Sequence, residues 1–231
     1  MSPGPSEGAP SRTAVCFHGF LRTGRSMRPV RRHLLLAGWR SVHLPTARYE
    51  LTSIEQLGIW AARHLEEASA KAGGVPVDVV THSMGGLVLR ASLPHSPPVG
   101  RVVMLSPPNA GALRAHQMRS LIPVHLLGWD PLAPLLPGAP QRLPTAEGPL
   151  EVGVITGARG DAEHRGYFPW LGADNDGKVR VDEAPLAGAS AFRVVKAHHT
   201  FIMAQRSVLE LVKSFLTTGD FGGDPHPALQ P

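Results

Sequence analysis

Ser83 stands at the centre of Val77-Asp78-Val79-Val80-Thr81-His82-Ser83-Met84-Gly85-Gly86-Leu87-Val88, where an apolar strand-like run passes straight into an apolar helical one. A serine in so sharp a strand-to-helix turn is pushed into a strained backbone conformation that exposes its hydroxyl above the sheet, and small neighbours let the chain turn that tightly. The chemistry on offer is attack of the hydroxyl on a carbonyl carbon. Gly85 fits the pattern. Thr81 departs from it, because glycine usually stands there and threonine needs more room between strand and helix; a β-branched residue nonetheless suits a strand end. A serine capping an ordinary helix looks the same locally, so the segments on either side decide.

An acyl-transfer reaction needs two amide donors aimed at the developing oxyanion. Met84 N–H follows the serine and is one candidate. Phe20 N–H is the other, in Phe17-His18-Gly19-Phe20 directly after the first strand, where Gly19 lets the backbone approach closely. His18 precedes the serine, the wrong order for a base in this arrangement, and is expected to brace its loop. A carboxylate is needed to orient the base, and Gly172-Ala173-Asp174-Asn175-Asp176-Gly177 offers Asp176 with Asp174 as rival, and Asp161 or Asp182 behind them. The same turn has the look of a calcium loop, but a closing glutamate about twelve residues from the loop start is required, and Glu183 comes too early. The base is sought in Val195-Lys196-Ala197-His198-His199-Thr200, a loop after the last strand. The chain order serine, aspartate, histidine differs from the chymotrypsin and subtilisin orders and suits a doubly covered α/β sheet.

Together, His18-Gly19-Phe20, Thr81-His82-Ser83-Met84-Gly85-Gly86, Asn175-Asp176-Gly177 and His199-Thr200-Phe201 resemble the α/β-hydrolase superfamily, and within it the small bacterial lipases and esterases. Ser106-Pro107-Pro108-Asn109-Ala110-Gly111 is similar to the loop after the next strand in lipase-like members. The likeness runs from about Thr13 to Leu216. It implies that Asp176, before the glycine, is the acid and that His199, opening the last helix, is the base. It also implies ester hydrolysis through an acyl-enzyme on Ser83, with no cofactor and no metal.

The elements that must position these residues are legible as alternating short apolar runs and longer helical patterns. Strands are expected at Thr13–Phe17, Arg40–Leu44, Val77–Thr81, Arg101–Leu105, Glu151–Thr156 and Phe192–Lys196, and helices at Arg25–Ala37, Ser53–Ala72, Met84–Leu93 and Thr200–Leu216. Such alternation predicts an α/β fold with an open, mostly parallel sheet covered on both faces and a ligand site at the carboxyl ends of its strands. Residues 12–217 form one expected domain, flanked by disordered tails at 1–11 and 218–231. The stretch 107–149 interrupts the rhythm with Leu, Pro and Gly. It is either an irregular insertion completing the core or a cap over the pocket, and its leucines, with Trp170-Leu171, suggest an apolar acyl pocket.

The chain has 231 residues, 42% of them hydrophobic, and a net charge of +5. Its arginines are spread along the sequence without a nucleic-acid motif, so the charge is read as solubility and no nucleic-acid partner is expected. The single cysteine, Cys16, lies in the apolar run Ala14-Val15-Cys16-Phe17 and reads as a small core residue. No apolar run reaches the ~20 residues of a membrane span, and no secretory signal is visible at the N-terminus, so a cytoplasmic protein acting on a small ester is expected. The same triad would also serve acyl transfer or amide hydrolysis, and the fold can host a non-catalytic binding protein. Oligomeric state is not encoded legibly.

Overall fold

The computed structural model describes residues 12–121, 130–146, 148–160 and 165–222. Six strands, β1 (Thr13–Phe17), β2 (Ser41–His43), β3 (Val77–His82), β4 (Val99–Leu105), β5 (Val152–Ala158) and β6 (Ala191–Lys196), form one sheet in the order β2-β1-β3-β4-β5-β6. Every pairing is parallel. Parallel neighbours need crossovers, and helices supplying them bury both faces of the sheet. The central strands accordingly read as continuous Val-, Ile- and Leu-rich runs, and β1, β3 and β5 are buried at every position.

Alternation along each strand divides the core in two. Val15, Val79, Met104 and Val154 face α2 (Ile54–Lys71) and α3 (Met84–Ser92), whereas Cys16, Val80, Val103 and Ile155 face α1 (Arg28–Leu36) and α5 (Arg206–Thr218). Cys16 is fully buried on that second side, and its thiol is pushed up to about 12 by desolvation, which keeps it protonated and inert. One face of α2 packs against the sheet: Leu57, Ala61, Leu65 and Ala68 are buried, with Ser53 Oγ accepting from Gln56 N at 3.2 Å to cap the helix.

Several boundaries differ from expectation for local reasons. The helix expected from Arg25 begins as a single 3-10 turn, Gly24–Met27, and the α-helix proper starts at Arg28 because Pro29 lacks an N–H and is tolerated only in a first turn. The closing helix is not continuous from Thr200. A 3-10 turn at Ile202–Ala204 buries Ile202 and Met203, Gln205 adopts an extended conformation, and α5 then runs to Thr218. Nor does packed structure stop at 217. Gly219 takes the left-handed cap, and Phe221 returns to the core, its ring 4.9 Å from that of Phe215. The remainder of the expected C-terminal tail, and the N-terminal tail at 1–11, lie outside the described residues.

The insertion between β4 and β5 contains α4 (Leu113–Leu121) and 3-10 turns at Ala133–Leu135 and Ala139–Arg142; its stretch 122–129 lies outside the described residues. It is fastened to α3 by Arg90, which is only 2% exposed. This guanidinium donates to the carbonyl oxygens of Pro140 (2.6 Å), Leu143 (2.9 Å) and Pro144 (2.7 Å), and to Asn109 O and Oδ1 (both 3.2 Å). Ala112, Ala115, Leu132 and Leu135 of the insertion belong to the same apolar cluster as α2 and α3.

Candidate active site

Ser83 occupies the single residue between β3 and α3, with φ 53° and ψ −127°. A left-handed φ is costly for a non-glycine residue, on the order of 1–3 kcal/mol, and persists only where the surroundings impose it. Here they do. Ser83 N donates to Leu105 O on the neighbouring strand at 2.8 Å, and α3 packs so tightly over β1 that a β-carbon at Gly85 would lie 2.6 Å from the carbonyl oxygens of both Phe17 and His18. Gly86 faces the other side, where a β-carbon would sit 3.2 Å from Pro107 Cβ and in ordinary contact, 3.4 Å, with Thr81 Oγ1.

The loop after β1 closes against this turn. A β-carbon at Gly19 would meet His82 Nδ1 at 2.9 Å and Ser83 Cβ at 3.1 Å, so only glycine lets the two segments touch. Arg22 N donates to Gly19 O at 3.2 Å, which makes Phe20 and Leu21 the corner of a turn beside Ser83. His18 is fully buried and braces that loop: its ring nitrogens bond Gly19 O at 2.8 Å and Ala47 N at 3.3 Å, and it stacks on Tyr49 at 4.2 Å. Nδ1–H donates to the carbonyl and Nε2 accepts from the amide, an assignment that requires the neutral ring. Burial holds its pKa below the ordinary value, in keeping with that tautomer. Met84 is the first residue of α3, where helical geometry leaves the N–H without a partner in the preceding turn.

Asp176 and His199 form a buried pair. His199 Nδ1–H donates to Asp176 Oδ2 at 2.7 Å, and His199 N donates to Asp176 O at 2.8 Å. The other carboxylate oxygen, Oδ1, accepts from Lys178 N (2.9 Å) and Val179 N (2.8 Å), and the Ser106 side chain also favours the ionised carboxylate. Burial by itself would raise this carboxyl, but the attraction of the His199 ring and the bonds just named prevail and hold its pKa below the ordinary value. Asp174, the rival, faces elsewhere. Its oxygens accept from Arg159 N (3.0 Å), Gly160 N (3.0 Å) and Asn175 N (2.9 Å), tying down the chain after β5. Asp182 is exposed and pairs with Arg180 at 2.5 Å; Asp161 lies outside the described residues. The neighbouring His198 turns to Tyr167, with ring centroids 5.4 Å apart.

Two positioning residues carried no assignment from sequence. His82 is buried between Gly19 and His199, and its Nε2–H donates to His199 O at 3.0 Å. Burial and the adjacent His199 ring push its pKa well below the ordinary value, so it is a neutral strut. Ser106 sits at φ 47° at the end of β4, where its Oγ accepts from Gly157 N at 3.3 Å while supporting Asp176. Its place after a strand was visible, but its partners come from β5 and the loop beyond.

Ser83, His199, Gly19 and Phe20 open on one cavity of about 360 Å³. Its apolar walls are Leu21 and Val179 from the sheet loops, and Ala112, Met118, Leu132 and Leu135 from the insertion. The insertion therefore both completes the core and walls the cavity. Trp170-Leu171 does not contribute as expected: Leu171 is buried in the fold, and Trp170 is 75% exposed beside Phe168, because its 3-10 turn carries it outward.

An all-parallel sheet in this order, a strained serine between its third strand and the next helix, and a buried Asp–His pair beyond the last two strands define the α/β-hydrolase fold. The comparisons with solved structures agree. A lipase of Bacillus licheniformis in its mature form superposes with a TM-score of 0.70 at 18% identity, over 95% of this chain and 96% of that one. Aspergillus fumigatus lipase B gives 0.62 at 17% identity over 98% of this chain and 57% of that one, and an extracellular α/β-hydrolase from Paenibacillus gives 0.51 at 16% over 90% and 99%. No family model and no curated protein sequence matches.

Proposed function

We propose that the protein is a serine hydrolase that cleaves carboxylic esters through an acyl-enzyme on Ser83. The observation that carries this reading is the convergence of a strained, accessible Ser83 and the Asp176-anchored His199 on one apolar-walled cavity. With Nδ1–H committed to Asp176, His199 presents Nε2 as the basic nitrogen. It takes the proton from Ser83 Oγ as the oxygen attacks the ester carbonyl, while Met84 and Phe20 amides hold the oxyanion. Collapse expels the alcohol, protonated by His199, and water then releases the acid by the same steps. Asp176, kept ionised by the His199 ring and its amide donors, holds the tautomer and stabilises the imidazolium form. Structures of similar fold that are described as lipases support an ester substrate.

A fluorophosphonate probe should label the parent protein and not Ser83→Ala, and that variant should lose roughly a thousandfold or more in kcat. Failure to label a folded parent would replace an enzyme with a binding protein. Leucines on the cavity wall predict a preference for a chain of several carbons. Each buried methylene is worth roughly 0.8 kcal/mol, so kcat/KM on p-nitrophenyl esters should climb from acetyl to butyryl or hexanoyl. A maximum at acetyl would show that Leu132 and Leu135 serve the core alone.

A further inference from the structure

Arg22, Arg114 and Lys178 line the Ser83 cavity, and no carboxylate does. They arrive from three separate segments: the turn after β1, the first turn of α4, and the loop that follows Asp176. Several basic side chains elsewhere are matched: Arg12 with Asp78, Arg48 with Glu50, Arg101 with Glu151, Arg119 with Asp130 and Arg180 with Asp182. Among the described residues none of the three cavity cations has an ion-pair partner. Arg114 lies instead over the Phe168 ring, 4.0 Å from its centroid, which fixes the guanidinium without neutralising it. The Asp176 carboxylate, hydrogen-bonded to His199, still attracts the Lys178 ammonium without forming an ion pair with it.

Three like charges gathered at one cavity oppose one another. The Lys178 ammonium is held below its ordinary pKa by partial burial first and then by Arg22 and Arg114, whose fields it feels directly. An arrangement that costs stability when empty is relieved by an anion, and forked guanidinium donors beside an ammonium suit the oxygens of a phosphate. The same cavity is also lined by Leu132, Leu135 and Met118, which suit an acyl chain. A substrate that carries both an acyl chain and an anion would use both sets of side chains.

On the ester-hydrolase reading above, we propose that the substrate is an acyl ester whose alcohol part carries a phosphate a few atoms from the ester oxygen, bound by Arg22, Arg114 and Lys178. The Ser83 Oγ–acyl carbon bond forms and the carbon–oxygen bond to the alcohol breaks. The departing phosphate-bearing alcohol takes its proton from His199, and water subsequently frees the fatty acid. The spacing follows from the cations and Ser83 sharing a single cavity of about 360 Å³. An acyl thioester of coenzyme A, with phosphates far from the reacting carbonyl, would not place them there.

The test separates binding from turnover. Calorimetry on Ser83→Ala with glycerol 3-phosphate should show binding that glycerol does not, and adding Arg114→Gln or Lys178→Gln should weaken it about tenfold each, the worth of a charge-assisted bond. Kinetically, the parent should prefer 1-octanoylglycerol 3-phosphate over 1-octanoylglycerol by about tenfold or more in kcat/KM, below micelle formation. That ratio should fall towards one in the glutamine variants and recover largely in Arg114→Lys. An equal ratio in the parent, a ratio insensitive to the variants, or a preference for octanoyl-coenzyme A would each overturn the assignment. Neutral esters cleaved without phosphate preference would leave the ester reading standing and remove this one. Cation-dependent glycerol 3-phosphate binding without cleavage of any ester would remove both the ester reading and this substrate, leaving only an anion site.

Discussion

At the scale of single residues, the pair that matters is separated from near-identical neighbours by hydrogen-bond geometry. Asp176 gives one oxygen to His199 at 2.7 Å and the other to two amides, whereas Asp174 gives both oxygens to backbone amides of a surface loop. Asp176→Asn keeps the shape but inverts one donor–acceptor contact and favours the wrong histidine tautomer. It should cost kcat on the order of 10⁴-fold by the logic of other Ser-His-Asp sites, whereas Asp174→Asn should cost less than tenfold. The histidines should divide likewise. His199→Ala should match the loss of Ser83, and His198→Ala, whose ring rests on Tyr167, should be mild. Steady-state kinetics on one short-chain ester decides both, and reversed losses within either pair would reassign the roles.

At the scale of elements, the insertion is held less by its own short helices than by a single side chain of α3. Arg90 donates five hydrogen bonds to 109, 140, 143 and 144 while buried with no acidic partner, and desolvation brings its pKa down to about 10. Its worth lies in carbonyl oxygens that would otherwise be buried without donors. Arg90→Met fills similar volume but strands them, so a loss on the order of 3 kcal/mol is expected. For a chain of this length that corresponds to a fall in Tm of roughly 6–12 °C. Arg90→Lys should not rescue it, because a single ammonium cannot reach donors spread over the planar fork of a guanidinium. Thermal melts followed by circular dichroism test this directly. A change within ~1 kcal/mol would mean that the insertion is held by its apolar contacts instead.

At the scale of the whole molecule, the buried Asp176 carboxylate links the site to acid stability. The Asp176 carboxyl is held below its ordinary 3.8 in the folded state, so the folded protein binds this proton less readily than the unfolded chain. Its stabilising contribution is therefore present above the unfolded value and is lost as pH falls through the lower folded one. Melting temperature should drop more steeply between about pH 5 and pH 2 in the parent than in Asp176→Asn, which has no such proton to take up. Equal slopes would place the acid-sensitive group elsewhere. The six-stranded parallel sheet supplies the rigid frame for this: the loops that carry Asp176 and His199 follow β5 and β6, on one side of the strand that leads into Ser83.

Most of the elements, and Ser83 as the candidate serine, are legible along the chain. Runs such as Val77–His82 and Val152–Ala158 are buried on both faces, so their composition announces strands, and the apolar spacing of Ile54–Lys71 announces a helix; both signals arise between chain neighbours. Gly19 and Gly85 were legible for the same reason, since each stands within a residue or two of the turn it permits. Tertiary structure alone decided what depends on chain segments meeting. Asp174 and Asp176 share one turn, and only the paths of β5 and β6 set one against Arg159 and Gly160 and the other against His199. The break at Gln205 and the return of Phe221 follow from burial against strands far away in sequence. The cations Arg22, Arg114 and Lys178 carry no local signal of common purpose. Sheet order and the placement of the insertion bring them to one cavity, and periodicity along a chain cannot encode that convergence.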